Sequence, residues 1–377
     1  MWRCQVDDAA VENLERSPRA MRIIEKAGGG GRAARFEDWM RVALCDPELG
    51  YYARNVRSVG PRGDFSTAAT LHPALGEAVA AWASARRKEL FGGGLAPWNL
   101  IEAGPGTGEL ARTVLEALPL LARRTVTLRL VETSPVLREA QRARLGGRAT
   151  WHATMEDALA VCAGRAIVYA SELLDALPVR VLRRWGGGWE ELWISSNGSR
   201  AVEEWRPASS EQLESLGEGR FSALSRTWPE GQRVEIAPAV REFFLSWKSS
   251  LSLGSLLLLD YGDSIEMLYD RRPHGTVRGY AHHQRLEGAD LYANAGLADV
   301  TADVNFTDVA AWAREAGLEP GKLDTQGAFL ARHVKGAEAR AAREPALAFL
   351  LDPRGAGAGF KALELCSSTH SPSKKNE

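Results

Sequence analysis

No apolar run in this sequence approaches the roughly 20 residues that a membrane-spanning helix needs, so insertion into a bilayer is not expected. Cysteine is scarce. Cys4, Cys45, Cys162 and Cys366 stand far apart and form no CxxC pair, which argues against zinc and against a disulfide framework. A reducing, cytoplasmic setting is the default. Charge of one sign is also missing: 47 Lys and Arg face 48 Asp and Glu. That balance gives no electrostatic case for nucleic acid or for a membrane surface. The first residues, MWRCQVDDAAVENLERS, lack an apolar core and mix acids with bases. They read as neither a secretory signal nor a transit peptide. There are no internal repeats. His282 and His283 are adjacent, and strand neighbours point to opposite faces, so no metal site is expected.

What is present is an ordinary globular composition, 45% hydrophobic over 377 residues, enough for one large domain or two. Residues 1–31 read as a leader of uncertain fold, and KAGGGGRAARF near residues 26–36 as a flexible break. Residues 32–97 read as an N-terminal helical region. In FEDWMRVAL, Phe36, Trp39, Met40, Val42 and Ala43 share one side at helical spacing. From Trp98 strands and helices alternate: WNLIEA, then a helix from about Thr107 to Leu118; TVTLRLVE, then SPVLREAQRARL; ATWHA, then MEDALAVC; RAIVYAS, then ELLDALP. Ser134 can cap the second helix, with Pro135 in its first turn. Such alternation means βαβ units, a parallel sheet and right-handed crossovers. GSLLLLDYG reads as a fifth strand buried on both faces. This α/β core runs over 98–320, interrupted by a hairpin and insert at about 179–235 around the Gly-Gly-Gly of VRVLRRWGGGWEELWIS. Residues 321–365 extend the same domain, and 366–377 read as a disordered tail.

The glycine-rich stretch EAGPGTGEL follows the first strand. Ligands of open α/β sheets bind beyond the carboxyl ends of the strands. The dinucleotide fingerprint needs a third small residue where this chain has Glu109, and a P-loop needs an absent G-K-[ST]. What fits is E-x-G-x-G-x-G, with Glu102 at the strand end and Gly104, Gly106 and Gly108 in the turn. S-adenosylmethionine carries cationic ammonium and sulfonium groups and no phosphate, so acids near the turn favour it. Glu132 ends the second strand, where an acid can accept both ribose hydroxyls. Glu156 and Asp157 follow the third strand, where an acid can accept the adenine amino group; either could instead be a helix N-terminal acid. Glu172 and Asp175 follow the fourth strand, Asp260 and Tyr261 the fifth. The three-residue spacing of Glu172 and Asp175 puts both on one face if that turn is helical.

The segments ALCDPELGYY, GDF…GE, EAGPGTGEL, VETSPVLREAQ, WHATMEDAL, ELLDALPV, LLLLDYG and GTVRGYAHH occur in that order. Together they resemble the MidA-like family of methyltransferases, from about Phe36 to Leu318. The resemblance implies a class I fold: a Rossmann-like α/β, mostly parallel, seven-stranded sheet with an N-terminal helical region and an inserted segment. It implies S-adenosyl-L-methionine as cofactor and an arginine of a protein partner, a respiratory complex I subunit, as acceptor. It implies that Gly104, Gly106 and Glu132 hold the cofactor, that Asp64 and Glu77 help close the site, and that Glu172, Asp175 and Asp260 line the acceptor side. Two departures lie on that side. Ser66–Thr70 replaces T-S-P-E after GDF, and Ser171 stands where the family has Asn. Membership would place a bacterial chain in the cytoplasm and a eukaryotic one in mitochondria.

Two alternatives stay open: a small-molecule methyltransferase, and a non-catalytic assembly factor that retains the fold. A nucleic-acid base methyltransferase is disfavoured, because the fourth strand lacks [DN]-P-P-[YFW]. Trp185, Trp189 and Trp193 around the hairpin read either as packing or as a docking surface.

Overall fold

The computed structural model describes residues 18–54, 71–198, 200–208, 228–281 and 284–367. The chain divides into two compact units. The one that carries the glycine turn comprises residues 58–175, 240–265 and 303–377.

Its sheet contains β1 (Trp98–Ala103), β2 (Val126–Val131), β3 (Ala149–His152), β4 (Arg165–Ser171), β5 (Leu253–Asp263), β6 (Leu318–Pro320) and β7 (Phe360–Ser367). Their order is β6-β7-β5-β4-β1-β2-β3. Strands β1 to β5 pair in parallel, and β7 runs antiparallel between β5 and β6. This matches the expected seven-stranded, mostly parallel sheet. Two short strands, Val304–Asn305 on β5 and Asp324–Thr325 on β7, bring the total to nine among the described residues. The Leu256–Leu259 run of β5 is buried where the strand lies between β4 and β7.

The helices that shape the site are α1 (Ala74–Phe91), α2 (Glu109–Ala117), α3 (Pro135–Leu145) and α4 (Met155–Ala160). Ser134 caps α3 as expected, its hydroxyl accepting from Leu137 N at 3.3 Å, with Pro135 in the first turn. Thr154 caps α4 and accepts from Asp157 N at 3.1 Å. Gly76 of α1 sits directly on Thr113 of α2, where no larger residue fits. That packing joins α1 to this unit. Trp82 and Trp98 lie in the same core with Leu110, Val114, Leu128 and Leu257.

The other unit comprises residues 1–57, 176–239 and 266–302. Its five-stranded sheet includes the predicted hairpin, Arg180–Trp185 with Gly188–Ser196, joined through Gly186 and Gly187. Trp185 is exposed with Arg183 stacked on it, and Trp193 lies against Arg206 at 4.0 Å. Trp193 is half-buried in this contact.

Three expected boundaries are corrected. The N-terminal helical region 32–97 is split: Ala33–Arg35 is a strand pairing with Gly188–Ser196, and α1 belongs with the large sheet. Residues 266–302 leave the expected 98–320 core for the unit of the hairpin, so the core is interrupted twice. Cys366 and Ser367, expected in a tail at 366–377, belong to β7, and residues 368–377 lie outside the described residues. The leader expected at 1–31 contains a helix, Pro18–Ala27, with Ile23 and Ile24 buried.

Candidate functional site

The strand order reverses between β1 and β4, the switch point at which open α/β sheets hold ligands. The glycine turn follows β1 there. Gly104 and Gly106 take φ of +65° and +52°, a conformation that favours glycine. Gly104 N donates to Val131 O at 3.0 Å, which ties the turn to the end of β2. A Cβ on Gly104 would lie 2.6 Å from Leu173 Cδ1, in the loop after β4. A Cβ on Gly106 would meet nothing within 4 Å. The turn thus packs on its inner side and opens at Gly106. Gly108, at φ +80°, precedes α2.

Glu102 is buried beneath the turn, and its carboxylate accepts from Tyr169 OH at 2.9 Å. The two residues face each other across β1 and β4. Burial pushes the Glu102 carboxyl up to about 8, with the Tyr169 bond opposing that shift. The Tyr169 phenol is raised well above its ordinary range by burial and by Glu102.

Glu132 ends β2 and is also buried. Its carboxylate accepts from Ser134 N at 2.7 Å and from Gln141 Nε2 at 3.3 Å. Burial raises its pKa, while these donors and Arg138 hold it back. Arg138 donates to Glu132 O at 2.6 Å and to His152 O at 2.9 Å, clamping the ends of β2 and β3 together. Glu156 and Asp157 are exposed in the first turn of α4.

The charge of Glu109 does not decide between ligands. Its carboxylate pairs with Arg112 at 2.5 Å and Arg144 at 3.2 Å, and Arg144 also donates to Thr107 O. A carboxylate at the start of α2 would repel a pyrophosphate, but these two guanidinium groups offset its charge.

On the far side of the switch point the structure departs from expectation. Ser171 ends β4, and Glu172–Asp175 is an irregular loop with no helical ladder. Asp260 takes its N–H groups instead: one carboxylate oxygen accepts from Leu173 N at 3.2 Å, Leu174 N at 2.8 Å and Asp175 N at 3.4 Å. The other accepts from Tyr261 N at 2.9 Å. Glu172 sits at φ +52° and its N–H donates to Leu259 O at 2.9 Å. The common helical face expected for Glu172 and Asp175 is therefore corrected. Asp260 is buried, and its carboxylate positions this loop. Burial, with the charge of Glu172 adding, pushes the Asp260 carboxyl up to about 8. Ser171 and Glu172 are half-buried at the end of β4, and Asp175 is buried. Tyr261 stacks on Phe360 with ring centroids 3.9 Å apart.

Glu77 does not present a free carboxylate. Arg340 donates to it at 2.6 and 3.3 Å and pairs with Glu344 at 3.2 Å, which in turn pairs with His72. These ion pairs tie Glu77 to the C-terminal segment. Asp64, Ser66–Thr70, His282 and His283 lie outside the described residues. Among the described residues, no three His, Cys, Asp or Glu side chains stand together to hold a metal ion.

Gln141 and Tyr169 are missed by the motif reading. The signal for Gln141 is its place between Leu137 and Leu145, a polar residue on the buried stripe of α3. For Tyr169 it is Glu102 itself, since a buried acid needs a donor.

Residues 75–322, more than half of the chain, match a family described as S-adenosyl-L-methionine-dependent methyltransferases. The chain belongs to this family. It is similar to the mitochondrial protein arginine methyltransferase NDUFAF7 homolog of Drosophila melanogaster, 30% identical over 71% of this chain and 64% of that protein. It thus spans less than two thirds of that relative's length. The NDUFAF7 protein arginine methyltransferase of Danio rerio is 28% identical over 78% of this chain and 71% of its own. A Burkholderia thailandensis protein solved with bound S-adenosyl-homocysteine superimposes with a TM-score of 0.80 at 24% identity, covering 98% of this chain and 96% of that one. That likeness shows a shared fold. Among the described residues, no helix of this methyltransferase-family chain is long and apolar enough to cross a membrane.

Proposed function

We propose that this protein transfers a methyl group from S-adenosylmethionine to an arginine of a partner protein. The observation that carries the reading is the cradle after β1. Gly106 opens to free space beside the switch point, and the Glu132 carboxylate stands just past the end of the adjoining strand β2. In this reading Gly104 and Gly106 let the backbone approach the ligand, and Glu132 accepts the ribose hydroxyls. Glu156 or Asp157 accepts the adenine amino group. When bound, the cofactor supplies a methyl group on a cationic sulfur.

The chain's own contribution is alignment, worth about 7–11 kcal/mol where the reacting atoms are well placed. Arginine stays protonated in water, with pKa above about 12. Glu172 and Asp175 would grip its guanidinium through charge-assisted hydrogen bonds and aim one nitrogen. Glu172 would take the proton that this nitrogen loses as it gains the methyl group, with S-adenosyl-homocysteine as the leaving group. Asp260 fixes the loop on which both acids sit. The arginine acceptor rests on the relatives named above, and a respiratory-complex subunit is its most specific form. The described cysteines form no disulfide with one another, in keeping with a reducing compartment such as the bacterial cytoplasm.

Extracts incubated with the protein and methyl-tritiated S-adenosylmethionine test the reading. Label is expected in protein, recovered as methylarginine after hydrolysis, and reduced at least about tenfold by Glu172→Gln. Label only in protease-resistant small molecules would reject the protein acceptor. No label with either form would favour a non-catalytic assembly factor.

A further inference from the structure

Gln141 is 0% exposed and joins three elements through one planar amide. Its Nε2 donates to Gly106 O at 2.6 Å and to Glu132 Oε2 at 3.3 Å. Its Oε1 accepts from Trp151 Nε1 at 2.9 Å, on β3. A Cβ on Gly108 would lie 3.3 Å from Gln141 Cγ, so the side chain also fills the space beside the turn. A neutral amide offers two donors and an acceptor in one plane, and glutamine has the longer reach of the two amide side chains. Leucine or methionine at this position would fill the volume and leave the three partners unpaired. Glutamate would set a second carboxylate against Glu132.

We propose that Gln141 is the positioning residue of the adenosine half of the site, locking the glycine turn to the ribose-binding acid in one geometry. This rests on the methyltransferase reading. The amide fixes where the Gly106 carbonyl and the Glu132 carboxylate stand relative to each other. The cofactor then meets a preformed rim, and no ordering of either group is needed on binding. The amide also stabilises the charged form of Glu132, the form that accepts hydroxyl hydrogens. The charged neighbour of Glu132 is Arg138, on the same helix as Gln141, which donates to the Glu132 carbonyl. From β3, His152 accepts Arg138 through its backbone carbonyl, and its ring is pushed toward the neutral form by burial and by Arg129.

The test is calorimetric titration with S-adenosyl-homocysteine across pH, using wild type, Gln141→Met and Gln141→Glu. Wild-type affinity is expected to fall as pH drops and Glu132 gains a proton. Q141M should weaken binding about tenfold at neutral pH and move that acid limb to higher pH. Q141E should move it further in the same direction, through like-charge repulsion. A purely structural role would lower thermal stability and leave the limb in place, so a folded variant with the wild-type limb overturns the proposal. If Q141M does not fold, Q141E is read alone, since it keeps the Trp151 acceptor. No wild-type binding at any pH overturns both this role and the methyltransferase reading. Wild-type binding with an unmoved limb overturns the role of Gln141 alone.

Discussion

Replacing Asp260 by alanine is expected to destabilise the fold by about 3 kcal/mol or more, the largest loss for any single side chain of the site. Four backbone N–H groups, of Leu173, Leu174, Asp175 and Tyr261, end on its carboxylate. A buried donor left without a partner costs about 1–3 kcal/mol, and the longest of the four bonds, at 3.4 Å, contributes least. Removing a buried acid whose pKa is raised relieves some desolvation cost. That relief is smaller than the loss of four partners, because the loop cannot turn all four donors to water at once. Urea denaturation checks the figure. Methyl transfer should fall further than cofactor affinity, since the loop carries Glu172 and Asp175 while the glycine turn lies on β1. A loss below about 1 kcal/mol with full activity would contradict the positioning role.

The second large effect is in the pH dependence of stability. The Glu102 carboxyl rises from an ordinary 4.5 to about 8 in the fold. A raised folded pKa means that the native state holds the proton more tightly than the unfolded chain. The stabilisation from Glu102 is therefore fully present below pH 4.5 and is lost as pH rises through 8. At 1.36 kcal/mol per unit the full effect reaches about 5 kcal/mol as an upper figure. Glu102→Gln keeps a carbonyl oxygen to accept from Tyr169 OH and carries no charge. Denaturation curves at pH 5 and pH 8.5 should show wild type losing several kcal/mol more than the variant over that interval. Asp260 titrates in the same direction in both proteins, so the difference isolates Glu102. Parallel pH curves for the two proteins would show that Glu102 is ionised in the native state at neutral pH.

The parts of this architecture written in local pattern were legible from sequence. The strand and helix alternation from Trp98, the Ser134 cap and the buried β5 follow from periodicity and from side-chain chemistry over a few residues. The hairpin at Gly186–Gly187 follows from the same rules. The division of the chain was less legible, because it depends on contacts between distant segments. Gly76 on Thr113 draws α1 to the large sheet, and Ala33–Arg35 pairs with a strand more than 150 residues away. In the candidate site, the place of the glycine turn after β1 and of Glu132 after β2 follows from the strand and helix alternation. The geometry of Ser171–Asp175 does not, because Asp260, 85 residues beyond Asp175, decides where those N–H groups go. Glu77 shows the same limit. Its carboxylate reads as available until Arg340, 263 residues on, is placed beside it.

The most direct test is calorimetric titration of the purified protein with S-adenosyl-homocysteine, beside the Glu132→Ala variant. One ligand per chain should bind with a dissociation constant in the micromolar range, and the variant should bind at least about tenfold more weakly. No binding by wild type at about millimolar ligand, or equal affinity in the two proteins, would contradict a cofactor site built on the glycine turn and Glu132.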